Sequence, residues 1–261
     1  MFDLPQPSQP RAMQRARGRA RVAFRGRRIT GLSQAGSGKV MIPACHGAFP
    51  EAVFLNTAGG LTGGDSFAFD ASIDDGALML TTQTAERSYA STGADARVDV
   101  TLRAGPGATL FWLPQETILF DASALRRRTV IEAAPGARVL ALEMLVFGRA
   151  AMGERLSSFR LMDRRELHAD GLQWLDALAL DARLIGKAAG LRDARAIATL
   201  LYWGPDAEDI ALDLPPGLHA SAWGGKCVIR GAFPDLWPLK TALAPVLRQL
   251  TGGHLPRVWA V

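Results

Sequence analysis

FAFDASIDDGALMLTTQTAERS (67–88), VDVTLRAGPGATLFWLPQETILF (98–120) and RTVIEAAPGARVLALEMLVFG (128–148) are three versions of one pattern. Each begins with an alternating stretch, turns at Gly76, Gly107 or Gly136, and continues through an alanine into a second apolar strand. Alternation with period two marks a strand with one buried face, and glycine at the turn supplies the positive φ that a sharp reversal needs. The glycines lie 31 and 29 residues apart. A two-strand unit of this size cannot bury its apolar face alone, so successive units are expected to stack. The predicted fold is mainly β: β-helical, with two-layered stacked sheets and a small helical element near the C-terminus. A plain β-meander would give a similar pattern over so short a repeat.

Working outward, Arg19-Ala20-Arg21-Val22-Ala23-Phe24-Arg25 alternates as a strand with a solvated outer face would. Residues 158–175 suggest two strands around an Asp170-Gly171 turn. Arg195 to Trp203 and Gly225 to Phe233 suggest two more. Asp235 to Leu250 is the clearest helix: Asp235 can cap it, and Leu236, Leu239, Leu243, Val246, Leu247 and Leu250 share a face. Pro245 falls inside it, so a bend or restart is expected there. With no linker or shift in composition, the expected organisation is a basic, flexible arm over 1–17 and one β domain over 18–261.

The composition, 48% hydrophobic and 21% charged over 261 residues, is that of a globular protein. No apolar run approaches the roughly 18 residues of a membrane-spanning helix. The start lacks an apolar signal core, and two cysteines make no disulfide framework. These features point to the cytoplasm. The net charge of +5 is concentrated: residues 1–30 hold eight arginines and one acid, while the rest of the chain is slightly acidic. Such a cluster suits a solvated strand face, an acidic protein partner or nucleic acid.

Most catalytic patterns are missing. Gly36-Ser37-Gly38-Lys39 fails the phosphate-loop pattern twice, since position 33 is Ser and Val40 follows the lysine. There is no G-x-S-x-G elbow. The four histidines sit in separate segments, and Cys45-His46 offers at most a single loose metal ligand because neighbours on a strand face opposite ways. What stands out is a set of carboxylates in apolar or turn settings: Asp65 after the glycine-rich GGLTGG, Glu116, Glu143 and Glu154. An ionised carboxylate in an apolar strand must be paired, hydrogen-bonded or metal-bound. An arginine partner is the ordinary solution. The sharper alternative is a polar path for a divalent cation, whose oxygen ligands bind weakly enough to let the ion leave again.

NTAGGLTGGD (56–65), TTQTAERSY (81–89), WLPQETILFD (112–121), Glu143 through GRAAMGE (148–154) and PRVW (256–259) together resemble the urease accessory protein family UreD, also called UreH. The matches run in order over nearly the whole chain. The resemblance implies a β-helical, two-layered fold and a non-catalytic role in urease maturation. It implies binding to UreF, which recruits the GTPase UreG, and docking of the assembly on apo-urease. Nickel would pass transiently through this chain while UreG hydrolyses GTP, with no tightly bound cofactor. On the matching positions, Asp65, Thr82, Gln83, Glu116, Glu143 and Glu154 are the candidates for the wall of the nickel path. Where many members carry His-Pro-Pro before the glycines, this chain has Asn56-Thr57-Ala58, which removes a possible imidazole ligand. Glu86 falls where members vary and receives no role.

Two other classes of function compete. A β-helical carbohydrate-active enzyme would use paired carboxylates as acid and base, with aromatic platforms in a groove. A nucleic-acid binder would act through Arg11 to Arg28 with steep salt dependence.

Overall fold

The repeat folds by laying each unit beside the one before it. The computed structural model describes residues 14–44, 47–185, 187 and 190–259. Cys45, His46 and the first 13 residues of the expected arm lie outside that set.

The N-terminal part holds β1 (Arg17–Arg25), β2 (Arg28–Gly36), β3 (Gly38–Met41), β4 (Glu51–Asn56), β5 (Ser66–Ile73) and β6 (Ala77–Thr82). The middle holds β7 (Glu86–Ser88), β8 (Ala96–Ala104), β9 (Thr109–Trp112), β10 (Thr117–Leu119), β11 (Ala124–Ala133) and β12 (Arg138–Phe147). There follow β13 (Arg160–His168), β14 (Leu172–Asp181), a short α1 (Ala182–Ile185), β15 (Ala196–Trp203), β16 (Leu218–Trp223), β17 (Lys226–Phe233) and α2 (Leu236–Leu250). The first sheet runs β14-β13-β11-β8-β5-β1-β2, and the second runs β16-β17-β15-β12-β9-β6-β4-β3.

From β4 to β13 the long strands fall alternately in the second and first sheets, and strands from successive units pair in parallel. Register follows the repeat. In the first sheet Phe69 lies beside Val100 and Val100 beside Thr129, and in the second Leu78, Leu110 and Val139 align. The three turn glycines have φ of 77°, 67° and 74°, the left-handed conformation for which glycine was expected.

The apolar faces close two cores. Phe69, Val100 and Leu102 of the first sheet meet Leu80, Leu110 and Val139 of the second. The far side of the second sheet contributes Phe111, Leu140 and Leu142 to a separate core beneath α2. Strand β12 is therefore buried on both faces, which is why its sequence reads as a continuous apolar run. The Asp170-Gly171 turn has positive φ at both residues, as a two-residue hairpin requires. Helix α2 starts at the Asp235 cap, whose carboxylate accepts from the Leu236 N–H. It continues through Pro245 without the predicted restart, with Leu239, Leu243, Val246 and Leu247 buried on its inner face. No helix among the described residues is long and apolar enough to cross a membrane.

Leu243 is fully buried under α2, so Leu243→Ala should cost about 2–5 kcal/mol of folding stability, measurable by urea denaturation. A loss below about 1 kcal/mol would mean that the helix is not packed as described.

Candidate functional site

The motifs quoted above gather at one place. Leu61 of the glycine-rich segment bridges in parallel to Ser88, Ser88 pairs with Leu119, and Leu119 pairs with Phe147. Segments 56–65, 81–89, 112–121 and 143–154 are thus successive rungs of a short ladder beside the two main sheets.

Two small cavities adjoin this ladder. One, of about 60 Å³, is lined by Asn56, Gly59, Gly60, Thr82, Gln83 and Glu86 among others. The next, of about 50 Å³, lies between the sheets and is lined by Thr82, Glu86, Gln115, Thr117, Arg127 and Glu143 among others. Thr82 and Glu86 belong to both. Each cavity has room for a few water-sized guests.

The inner cavity ends on a buried charge cluster. Arg127 in β11 points inward and its Nη1 stands 2.6 Å from Oε2 of Glu143. It also grips Asp163 of β13 bidentately, Nη2 to Oδ2 at 2.7 Å and Nε to Oδ1 at 3.0 Å, and donates to Thr117 Oγ1 at 3.1 Å. Trp112 Nε1 donates to Glu143 Oε1 at 3.2 Å. The chain of charge continues from Asp163 to Arg165, from Arg165 to Asp176 at 3.0 Å, and from Asp176 to Arg230 at 3.2 Å. Burial pushes the Glu143 carboxyl up, against the pull of Arg127. For Asp163 burial acts in the same sense, but the two bonds from Arg127 outweigh it and hold that carboxyl low. The Arg127 guanidinium, desolvated but flanked by both acids, is held firmly protonated.

The remaining predicted residues sit elsewhere. Asp65 is buried and occupied with backbone: it accepts from the Ala16 N–H at 2.7 Å and the Thr62 N–H at 2.8 Å, fixing the glycine-rich loop to the start of β1. Glu116 faces α2, with Oε2 2.8 Å from Lys240 Nζ. Its neighbour Gln115 accepts from the same lysine and donates to the Val258 carbonyl, while Trp259 Nε1 donates to the Leu113 carbonyl. LPQE and PRVW are therefore two halves of one clamp on the C-terminal segment. Glu154 accepts both Nε and Nη2 of Arg149, at 2.9 and 3.0 Å, and the guanidinium lies 4.4 Å from the Phe120 ring centroid. Hydrogen bonds from Arg149 draw the Glu154 carboxyl below its usual range. Thr82, Gln83 and Glu143 thus line the two adjoining cavities, whereas Asp65, Glu116 and Glu154 do not. Among the described residues no group of three or more His, Cys, Asp or Glu side chains is placed to hold a metal ion.

Glu86, to which sequence reasoning gives no role, is the acid at the junction. Its oxygens accept from Asn56 Nδ2 at 3.2 Å and from the Arg87 N–H at 3.2 Å, and among the described residues no cation forms an ion pair with it. Desolvation pushes its carboxyl up to about 7 in spite of those bonds. Asn56 serves as a donor to this carboxylate. Sequence reasoning also misses Arg127 and Asp163. For Arg127 there is a signal: in a strand reading Arg126-Arg127-Arg128 the middle residue must face opposite its neighbours.

Replacing Arg127 by Met leaves Glu143 and Asp163 buried without their partner, and should destabilise the fold by about 3–5 kcal/mol in urea titrations. Glu86 has the opposite sense. Its folded carboxyl holds the proton more tightly than the unfolded chain does, so stability present below the ordinary carboxylate range is lost as the pH rises to about 7. Glu86→Gln should therefore melt above the parent at pH 8, by about 1–3 kcal/mol in stability, with the gap shrinking towards pH 5. A gap independent of pH would contradict this assignment.

The family pattern described as UreD urease accessory protein matches residues 15–260. A urease accessory protein UreD of Jannaschia sp. is 47% identical over 257 residues, covering 95% of this chain and 97% of that protein. One of Dinoroseobacter shibae is 48% identical over 273 residues, covering 98% and 97%. One of Paracoccus denitrificans is 42% identical over 274 residues, covering 100% and 97%. With a pattern spanning nearly the whole chain and relatives this similar end to end, the chain belongs to the UreD family of urease accessory proteins.

Proposed function

We propose that this protein is a non-catalytic cytoplasmic scaffold in urease maturation, joining UreF and, through it, UreG to apo-urease, and that nickel crosses it during GTP hydrolysis by UreG. The observation behind the nickel path is the pair of cavities joined at Thr82 and Glu86 and ending at Glu143. The hydroxyl and amide of Thr82 and Gln83 offer weak oxygen ligands, and the carboxylate of Glu86 is held by N–H donors without an ion pair among the described residues. Such a lining can hold a partly hydrated divalent ion without trapping it. The Arg127–Glu143 pair closes the inner end. An ion reaching Glu143 has to displace the guanidinium, which keeps a hold on Asp163 through its other bonds. Asp65, Glu116 and Glu154 serve the same path as framework: they engage an ion only by releasing the backbone, Lys240 or Arg149 that each now holds.

No geometry favours the carbohydrate-active alternative. The buried acids Glu143 and Asp163 share one arginine, which occupies both as ion-pair partners and leaves neither placed as a free acid or base.

Urease expressed with its other accessory proteins should acquire nickel and activity when this chain is present and should be nickel-poor when it is omitted. Equal nickel content in both preparations, read by atomic absorption, would remove the proposed role. Glu86→Gln, which disturbs no ion pair, is expected to reduce the nickel content severalfold; an unchanged content would place the path elsewhere.

A further inference from the structure

Among the described residues, the outer face of the first sheet has no covering layer. Its inner face meets the second sheet, and α2 covers the far side of the second sheet. Parallel strands are ordinarily covered on both faces. Here the bare face exposes Met162 and Leu175, at 48% and 44% of their surface.

Pairing register assembles a charged band on this face. Arg17, Ser66, Arg97, Arg126 and Met162 form one row across β1, β5, β8, β11 and β13. Arg19, Ala68, Asp99, Arg128 and Arg164 form the next. Six arginines thus stand in two rows with one acid, Asp99, which Arg97 binds at 2.7 Å. Arg126 lies 3.8 Å from Asp95, and Arg128 and Arg164 share Glu166 at 3.0 and 2.7 Å, so an incoming carboxylate would share or exchange these partners. Arg97 and Arg126 are direct cross-strand neighbours, as are Arg128 and Arg164, and like charges opposite each other cost stability. Arg97, Arg126, Arg128 and Arg164 keep half or more of their side-chain surface exposed. With Asp99, Asp163 and Met162 among others they line a groove of about 330 Å³. At the border Glu166 accepts from both Arg128 and Arg164, and these bonds draw its carboxyl down to about 2.

Acids border the band on both sides. Asp70 and Glu166 lie in the row beyond Arg19, and Asp95, bonded to Arg160 at 2.8 Å, precedes β8 on the other side. The strip between them is two rows wide, about 7 Å, and crosses four inter-strand steps, about 19 Å. Those dimensions suit one extended chain of about six residues. A nucleic-acid duplex, far wider, would set its phosphates against the bordering carboxylates.

We infer that this band seats an extended acidic segment of a partner protein, with alternate carboxylates on Arg97, Arg126, Arg128 and Arg164 and apolar side chains over Met162. Clusters of arginine that read acidic segments work by such charge-assisted, often bidentate contacts. None of the four exposed arginines touches the two cavities, although Arg127 lines both the groove and the inner cavity.

The test uses the full-length protein and a fluorescein-labelled hexaglutamate peptide, followed by polarisation at low salt. A single-stranded hexanucleotide of matched charge serves as the competitor. The peptide should bind, Arg97→Glu with Arg126→Glu should weaken it about tenfold or more, and Arg97→Lys with Arg126→Lys should keep most of the affinity. Circular dichroism of both double variants should match the parent. The lysine variant should also melt with it, while the charge-reversed variant, having lost the pairs with Asp99 and Asp95, should melt slightly below it. Absence of peptide binding, indifference to the charge reversal, or tighter binding of the hexanucleotide through the same arginines would overturn the inference.

Discussion

Arg127 joins what the topology leaves apart. It is the buried cation of β11 in the first sheet, and it holds Asp163 of the neighbouring β13 and Glu143 of β12 across the interior. A charge in such a place costs several kcal/mol of desolvation unless its geometry is good and its hydrogen bonds are filled. Here all three nitrogens of the guanidinium have oxygen partners, and Glu143 gains a further donor in Trp112. The acids exist in the core because the arginine does, and the two sheets face each other in a fixed register partly because neither can slide without stranding a charge. This is specificity bought with polar groups, on a framework whose stability comes from the apolar layers around them.

The same pair determines what the interior can do. Without Arg127 the cavity behind Thr82 and Glu86 would end on a bare carboxylate, a site that binds a divalent ion and keeps it. With the guanidinium in place, Glu143 is reachable only by exchange. Desolvation also raises the carboxyl of Glu86, at the junction of the two cavities, and on the proposed path this would weaken its hold on an ion. Weak, exchangeable oxygen ligands in series are what a carrier of metal needs, in contrast to an enzyme that retains it.

Much of the fold was legible in the chain. The glycine period gave the stacked units because a positive φ is needed at each turn, and the arginine alternation of β1 gave a strand with one wet face. The Asp235 cap gave the start of α2. The helix runs on through Pro245, where a bend or restart is expected, without restarting, since a core pressed against Leu243 and Leu247 holds the chain helical on both sides of the proline. The candidate site was legible only in outline. The motif segments were identified, and Glu143 was recognised as an acid needing a partner, but which partner depends on neighbouring strands that share no local pattern with it. Glu116 and Glu154 looked similar to Glu143 in sequence and differ in role, because Glu116 turns toward Lys240 of α2 and Glu154 toward Arg149 in its own loop. Glu86 was passed over because its significance lies in its desolvation, and that is a property of the folded surroundings alone.

The most direct measurement is the nickel content of urease matured with Glu143→Gln in place of the parent protein. The substituted amide keeps the shape of the side chain and can still accept from Trp112 or Arg127, while Arg127 retains Asp163, so the variant should remain soluble and fold cooperatively. The account predicts that urease made with it is poor in nickel. Full nickel content, with the variant present at parental levels, would contradict the account and leave Glu143 as a structural ion-pair partner with no part in carrying the metal.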